Sequence, residues 1–231
     1  MKKLLLSIFI LSLISFSSFS HIGHYAKYNY LEYDLFRNNS LIGSHKFKFK
    51  RNNNDLIVDS EVNFKISKLG IDLYKYRAIG QEQYKEGIFS GFKSTTNQNK
   101  KNKYVNITID NSDKNLIIDG SSYKGKANKD FIIGTWWNHE IVQKKAQISA
   151  VSGRIIEQKV QFLGKENVRI GDKTYKTLKF NFSSTDPSLS KDKKLNIDLW
   201  YEEDTYLWVK AAFDKTGYWE YRLKEVKLDS N

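Results

Sequence analysis

Two acidic side chains stand beside aromatic ones in a way that could serve chemistry. Glu82 shares a strand face with Tyr74 and Tyr76, and Asp198 shares one with Trp200. If both point inward they form a general acid/base pair, the equipment of a hydrolase acting on polysaccharide or lipid. Histidines are few: His21, His24, His45 and His139. His45 alternates in phase with Phe47 and Phe49, the position of a hydrogen-bonded inward histidine rather than a ligand. His139 follows Trp136-Trp137-Asn138. That aromatic cluster either caps a pocket mouth and stacks on a sugar, or plugs the end of a core, and plugging is the plainer reading. No nucleophile elbow, phosphate-binding glycine loop or metalloprotease helix motif is present.

The chain has no cysteine, which excludes thiol catalysis, thiolate metal sites, iron–sulfur clusters and disulfides. No cofactor is expected. Cleavage after Ser20 would make His21 the N-terminus, whose amine and ring nitrogen suit copper. With no second ligand assigned, His21 and His24 read as a frayed chain end, and no metal is expected.

Met1, Lys2 and Lys3 begin the chain, and Leu4 to Phe16 follow as an apolar run broken only by serines. Small residues at Ser17, Ser18 and Ser20 complete the layout of a secretory signal, and the run is too short for a comfortable membrane span. The expectation is a signal peptide over 1–20, a single domain over 21–231, and a periplasmic or secreted protein. The formal charge of +12 comes almost wholly from lysine, with six arginines in all. Scattered lysines that alternate with apolar residues, as in Lys46-Phe47-Lys48-Phe49-Lys50, are the wet face of a strand. Nucleic acid is therefore not expected as a partner. Weak contact with an anionic membrane or polysaccharide is.

The elements that must position these residues are strands. Period two runs through Leu31 to Leu35, His45 to Phe49, Val62 to Ile66 and Tyr74 to Tyr84, with polar turns between. Further strands are expected at 88–96, 104–110, 116–119, around 147, at 155–163, 175–182, 195–201, 206–214 and 218–226. Residues 131–139 break the rhythm and read as a short helix or a packed loop. No helical stripe of ordinary length appears outside the signal. Eleven to thirteen strands in one antiparallel sheet must curl into a barrel or half-barrel, or split as a sandwich, to cover their edges.

Several segments together resemble a family of exported Gram-negative proteins known only as a domain of unknown function. They are Leu41 to Phe47, Leu73 to Arg77 with Glu82, Trp136 to Asn138, and Ile197 to Tyr201. The resemblance implies an antiparallel β fold and no established activity. A related exported family is similar to the curled sheets of periplasmic lipoprotein carriers, which hold acyl chains in a concave apolar face. The leading expectation is a binding module for a lipid or other amphipathic molecule, with Tyr74, Tyr76, Glu82, Trp136, Trp137, Asp198 and Trp200 at the ligand. The alternatives are a hydrolase using Asp198 and Glu82, and a structural or assembly factor with no small ligand.

Overall fold

The computed structural model describes residues 21–229, and for His21 and Ile22 the backbone alone. The expected signal peptide lies outside the described residues. Fifteen strands form one sheet: β1 (Tyr28–Arg37), β2 (Ser40–Asn52), β3 (Asp55–Lys68), β4 (Ile71–Lys85), β5 (Ile88–Gln98), β6 (Lys101–Ile109), β7 (Leu116–Gly120), β8 (Lys124–Ala127), β9 (Ile132–Ile133), β10 (Ala146–Ile148), β11 (Ile155–Ile170), β12 (Lys173–Ser184), β13 (Asn196–Glu202), β14 (Trp208–Asp214) and β15 (Tyr218–Leu228). Two short 3₁₀ turns, His21–Tyr25 and His139–Gln143, are the only helical pieces among the described residues.

The topology follows from the turns. From β1 the chain winds outward through successive antiparallel hairpins to β8. It crosses to β9 at the other edge, then winds back from β10 to β15, which pairs with β1. Only β9 and β10 run parallel. The tight turns hold residues that tolerate positive φ, such as Asn38 (48°) and Asn39 (64°) between β1 and β2.

A sheet this wide curls until its edges meet. Here β6 and β7 pack their inner face against β9 and β10 through Ile107, Leu116, Ile118, Ile133 and Ile148. The 149–153 loop completes the closure. Ser122 N–H donates to the Ser152 carbonyl at 2.8 Å, and Ser94 Oγ donates to the Ala150 carbonyl at 2.5 Å. Gly120 is required there, because a Cβ would stand 2.6 Å from the Ser152 carbonyl oxygen.

The interior divides into zones along each strand. At one end Tyr25, Tyr33, Phe47, Phe49, Leu56, Tyr84, Trp137 and Trp208 form a packed aromatic core. The irregular 131–139 segment enters this core as a packed loop, leading into the His139–Gln143 turn. At the other end the inward side chains leave space.

Candidate functional site: an interior chamber and its mouth

The inward residues of β4 read out the three zones in order. Tyr84 and Glu82 sit in the packed core, Gly80 and Ala78 line a chamber, and Tyr76 and Tyr74 stand at the mouth. Neighbouring strands repeat the grading. On β3 the series is Leu56 and Val58, then Ser60 and Val62, then Phe64. Small side chains at matched heights on β3, β4 and β5 (Ser60, Ala78, Gly80, Ser94) fail to meet the facing wall, and a cavity of about 240 Å³ results.

Trp136 forms the facing wall, together with Gly134, Thr135 and Gln147. Its backbone sits at φ +65°, a conformation that costs a bulky residue and persists only where neighbours impose it. The neighbours are identifiable. Glu82 Oε1 accepts from Thr135 Oγ1 at 2.6 Å and from Trp137 Nε1 at 2.7 Å, so one carboxylate grips the residues on both sides of Trp136. Tyr201 O–H donates to the Trp136 carbonyl at 2.9 Å. Tyr84 O–H donates to Glu82 Oε2 at 2.8 Å. Glu82 is buried, and burial pushes its carboxyl above the ordinary carboxylate value, with the three donors pulling the other way. It is a positioning residue behind the chamber wall.

Two polar atoms at the chamber are buried without a hydrogen-bond partner among the described residues: His45 Nδ1 and Trp136 Nε1. A buried unpaired donor or acceptor costs about 1–3 kcal/mol. His45 lies against Phe47 (ring centroids 4.2 Å apart) and Tyr221 (5.9 Å), and burial drives its pKa down to about 3. The ring is therefore neutral at ordinary pH. The expectation of an inward His45 holds, but its Nδ1 lacks the anticipated hydrogen bond.

Tyr76, Val151 and Tyr221 line both the chamber and a wider open groove of about 640 Å³. Phe64, Ile66, Leu73, Tyr74, Phe213 and Trp219 give the groove its apolar walls. Phe64 stacks on Tyr76 with ring centroids 4.7 Å apart, and Trp219 meets Phe64 edge-on at 5.2 Å. Arg37 and Lys215 stand at the rim. Arg37 is held there by the Thr216 carbonyl, with its guanidinium 5.9 Å from the Trp219 ring centre.

The residues expected at the ligand thus separate. Tyr74, Tyr76 and Trp136 line the groove or the chamber. Glu82 and Trp137 lie behind the wall, and Trp137 is fully buried in the core. His139 stacks on Tyr206 with ring centroids 4.6 Å apart, away from the chamber. Asp198 and Trp200 correct the expectation of an inward pair. On β13 it is Ile197, Leu199 and Tyr201 that enter the core. Asp198 faces outward, accepting from Asn181 Nδ2 at 2.8 Å and pairing with Lys179 at 3.2 Å. Trp200 lies between the Lys179 and Lys210 ammonium groups, 4.7 and 4.9 Å from its ring centre. The sheet therefore separates Asp198 from Glu82, and the acid/base pair has no geometry to act through. Sequence reasoning passed over Phe213, Trp219 and the rim cations. Trp219 and Tyr221 alternate with Glu220, the available signal that they share a face.

Among the described residues no group of three or more His, Cys, Asp or Glu side chains is placed to hold a metal ion. Side-chain geometry at His21 lies outside what is described. No helix among the described residues is long and apolar enough to cross a membrane.

Comparison with known proteins places this architecture. No curated protein matches the chain. Among solved structures, a β-barrel-like protein of a domain of unknown function, DUF1849, from Brucella abortus is similar at a TM-score of 0.62 and 10% identity, covering 88% of this chain and 98% of that one. At that identity the likeness shows the fold alone. The family model for a domain of unknown function, DUF6134, matches residues 33–224, nearly the whole of the described barrel, and the chain belongs to that family.

Proposed function

We propose that this chain is an exported binding protein that holds an amphipathic, lipid-like molecule, its apolar part in the groove and its inner end in the chamber. The observation that supports this most is the chamber itself. His45 and Trp136 line this cavity beside an aromatic core, each with a buried, unpaired ring nitrogen, and the backbone of Trp136 is held in a strained conformation there. Interiors close-pack when nothing else needs the space. A ligand group that reached the Trp136 indole N–H and accepted from it would satisfy that buried donor. The groove volume falls within the roughly 300–1,000 Å³ typical of small-molecule sites. Arg37 and Lys215 at the rim suit an anionic group left outside. Export rests on the Lys2-Lys3 start and the apolar run after it.

The test is native mass spectrometry of the protein purified gently from producing cells, beside an Ala78→Phe variant. Ala78 lines the chamber, so a phenyl ring there fills it without entering the packed core. Co-purification of a lipid-sized mass with wild type and its loss from the variant is the expected result. A mass retained equally by both would refute the site, and wild type free of any adduct that also fails to take up added fatty acid would refute the function.

A further inference from the structure

We propose that the tip of the β3–β4 hairpin is a docking element for an anionic lipid bilayer, which sets the groove mouth against the membrane surface. The docking is argued from the hairpin alone, and its use in loading the groove rests on the proposed function above.

The hairpin overhangs the barrel. The last β2–β3 pair is Gly43 with Phe64, and the last β4–β5 pair is Tyr76 with Gln98. Beyond these, residues 65–75 pair with each other, apart from one bond from Asn99 N–H to the Lys75 carbonyl. Four ladder residues at about 3.3 Å each project roughly 13 Å. An interfacial segment needs about 5–10 Å to reach the boundary between headgroups and acyl chains.

The tip is apolar where the fold asks for polarity. Leu69 is 93% exposed, Ile71 66% and Leu73 55%. Leu69 occupies φ +51° and Gly70 φ +77°, the backbone of a two-residue hairpin turn that favours Asn or Gly at its first position. Of the comparable turns, Asn38-Asn39 and Asn99-Lys100 obey that chemistry, and Glu86-Gly87 departs from it with a polar residue rather than an apolar one. A leucine at this turn carries backbone strain and full exposure together, and the barrel gains no packing from it.

Charge selects the partner. Lys65, Lys68 and Lys75 flank the tip, and Lys100 and Lys101 sit on the adjoining β5–β6 turn. The hairpin's acid, Asp72, is already engaged by Lys75 at 3.0 Å and by Ser67 Oγ at 2.6 Å. Three apolar side chains on a narrow ribbon are too few for a stable protein interface, which buries about 1,200 Å² or more. They suffice with flanking lysines for a bilayer, where each cation near an anionic surface adds its own increment of attraction. Leu73 and Ile66 also line the groove, so the docked tip and the ligand entrance are continuous.

The experiment is co-sedimentation of ligand-free protein with phosphatidylcholine vesicles and with vesicles that also contain phosphatidylglycerol. Wild type is compared with Leu69→Asn/Ile71→Thr. Both replacements suit the turn and strand they enter, so melting temperature should hold or rise. Binding to the anionic vesicles should weaken by at least about tenfold. Wild type should favour anionic over neutral vesicles and release as salt rises. Unchanged binding by the variant, or no binding of wild type to anionic vesicles, overturns the proposal. Ala78→Phe should dock like wild type, so a failure of the groove reading leaves a distinct signature: docking intact with no ligand taken up.

Discussion

Glu82 offers the sharpest perturbation, because two substitutions at one buried carboxyl should act in opposite directions. In Glu82→Gln the retained oxygen still accepts from Thr135 and Trp137, and the Tyr84 hydroxyl can accept from the new amide. The charge that burial disfavours is gone. In Glu82→Ala the Trp137 indole N–H has no second acceptor, two hydroxyls must turn elsewhere, and a cavity opens. One orphaned donor costs about 1–3 kcal/mol, and with the cavity the loss should reach about 3–5 kcal/mol. For a domain of this size that lowers the melting temperature by on the order of 10 °C. The pH dependence carries the sign. Burial raises the folded-state carboxyl above its unfolded value of 4.5. The folded state then binds the proton more tightly, so this group's contribution is fully present below 4.5 and is lost as pH rises toward the folded value. Over that window wild type should fall against Glu82→Gln by about 1.4 kcal/mol per pH unit. Urea unfolding of both proteins across pH, read by tryptophan fluorescence, gives the difference directly. A difference that stays flat with pH, or a Glu82→Ala variant as stable as wild type, would refute the clamp.

Further outcomes follow from neighbouring geometry. Burial holds the His45 pKa near 3 against 6.5 ordinarily, so its contribution is present above pH 6.5 and is lost as pH falls toward 3. His45→Phe should blunt that acid destabilisation, which acid titration of both proteins followed by circular dichroism would detect. Asp198→Ala removes a partly exposed pair and should cost about 1 kcal/mol or less, leaving ligand uptake unchanged by native mass spectrometry. Gly43→Ala would put a Cβ 2.1 Å from the Asn63 carbonyl oxygen and 2.5 Å from Phe64 Cβ. Backbone must move to accept it, so thermal melts should show a loss of about 2–4 kcal/mol.

The sheet was legible because its inner and outer faces differ in chemistry at period two, as along Tyr74 to Tyr84. Strand number was underestimated, fifteen against eleven to thirteen, where strands are short. Ile132–Ile133 and Lys124–Ala127 offer too few residues to establish a period. The chamber was harder to foresee. Ala78, Gly80, Ser60 and Ser94 are each unremarkable in a strand, and only register brings their small side chains to one height. The orientation of Asp198 was misjudged because both faces of β13 carry large apolar side chains. Ile197, Leu199 and Tyr201 face inward, while Trp200 lies outward in a small cluster with Val168, Val209 and Ala212, flanked by the Lys179 and Lys210 ammonium groups. An outward tryptophan covered by lysines reads like an inward one in sequence alone. Glu82 with Thr135 and Trp137 joins residues more than fifty positions apart, a contact no local pattern encodes.

The five tryptophans provide the most direct test of the interior site, because their indole N–H groups sit in five different places. Trp137 donates to Glu82, Trp208 to the Lys210 carbonyl, Trp219 to the Lys215 carbonyl and Trp200 to Glu166 on the outer face. The Trp136 N–H alone is unpaired, buried in a residue that lines the chamber. Titration of ¹⁵N-labelled protein with a soluble fatty acid should shift the Trp136 indole resonance as the chain fills the chamber that Trp136 lines. Trp219 at the groove should move as well, while Trp200 and Trp137 stay in place. A titration that moves Trp200 and leaves Trp136 unperturbed would place binding on the outer face and contradict the account.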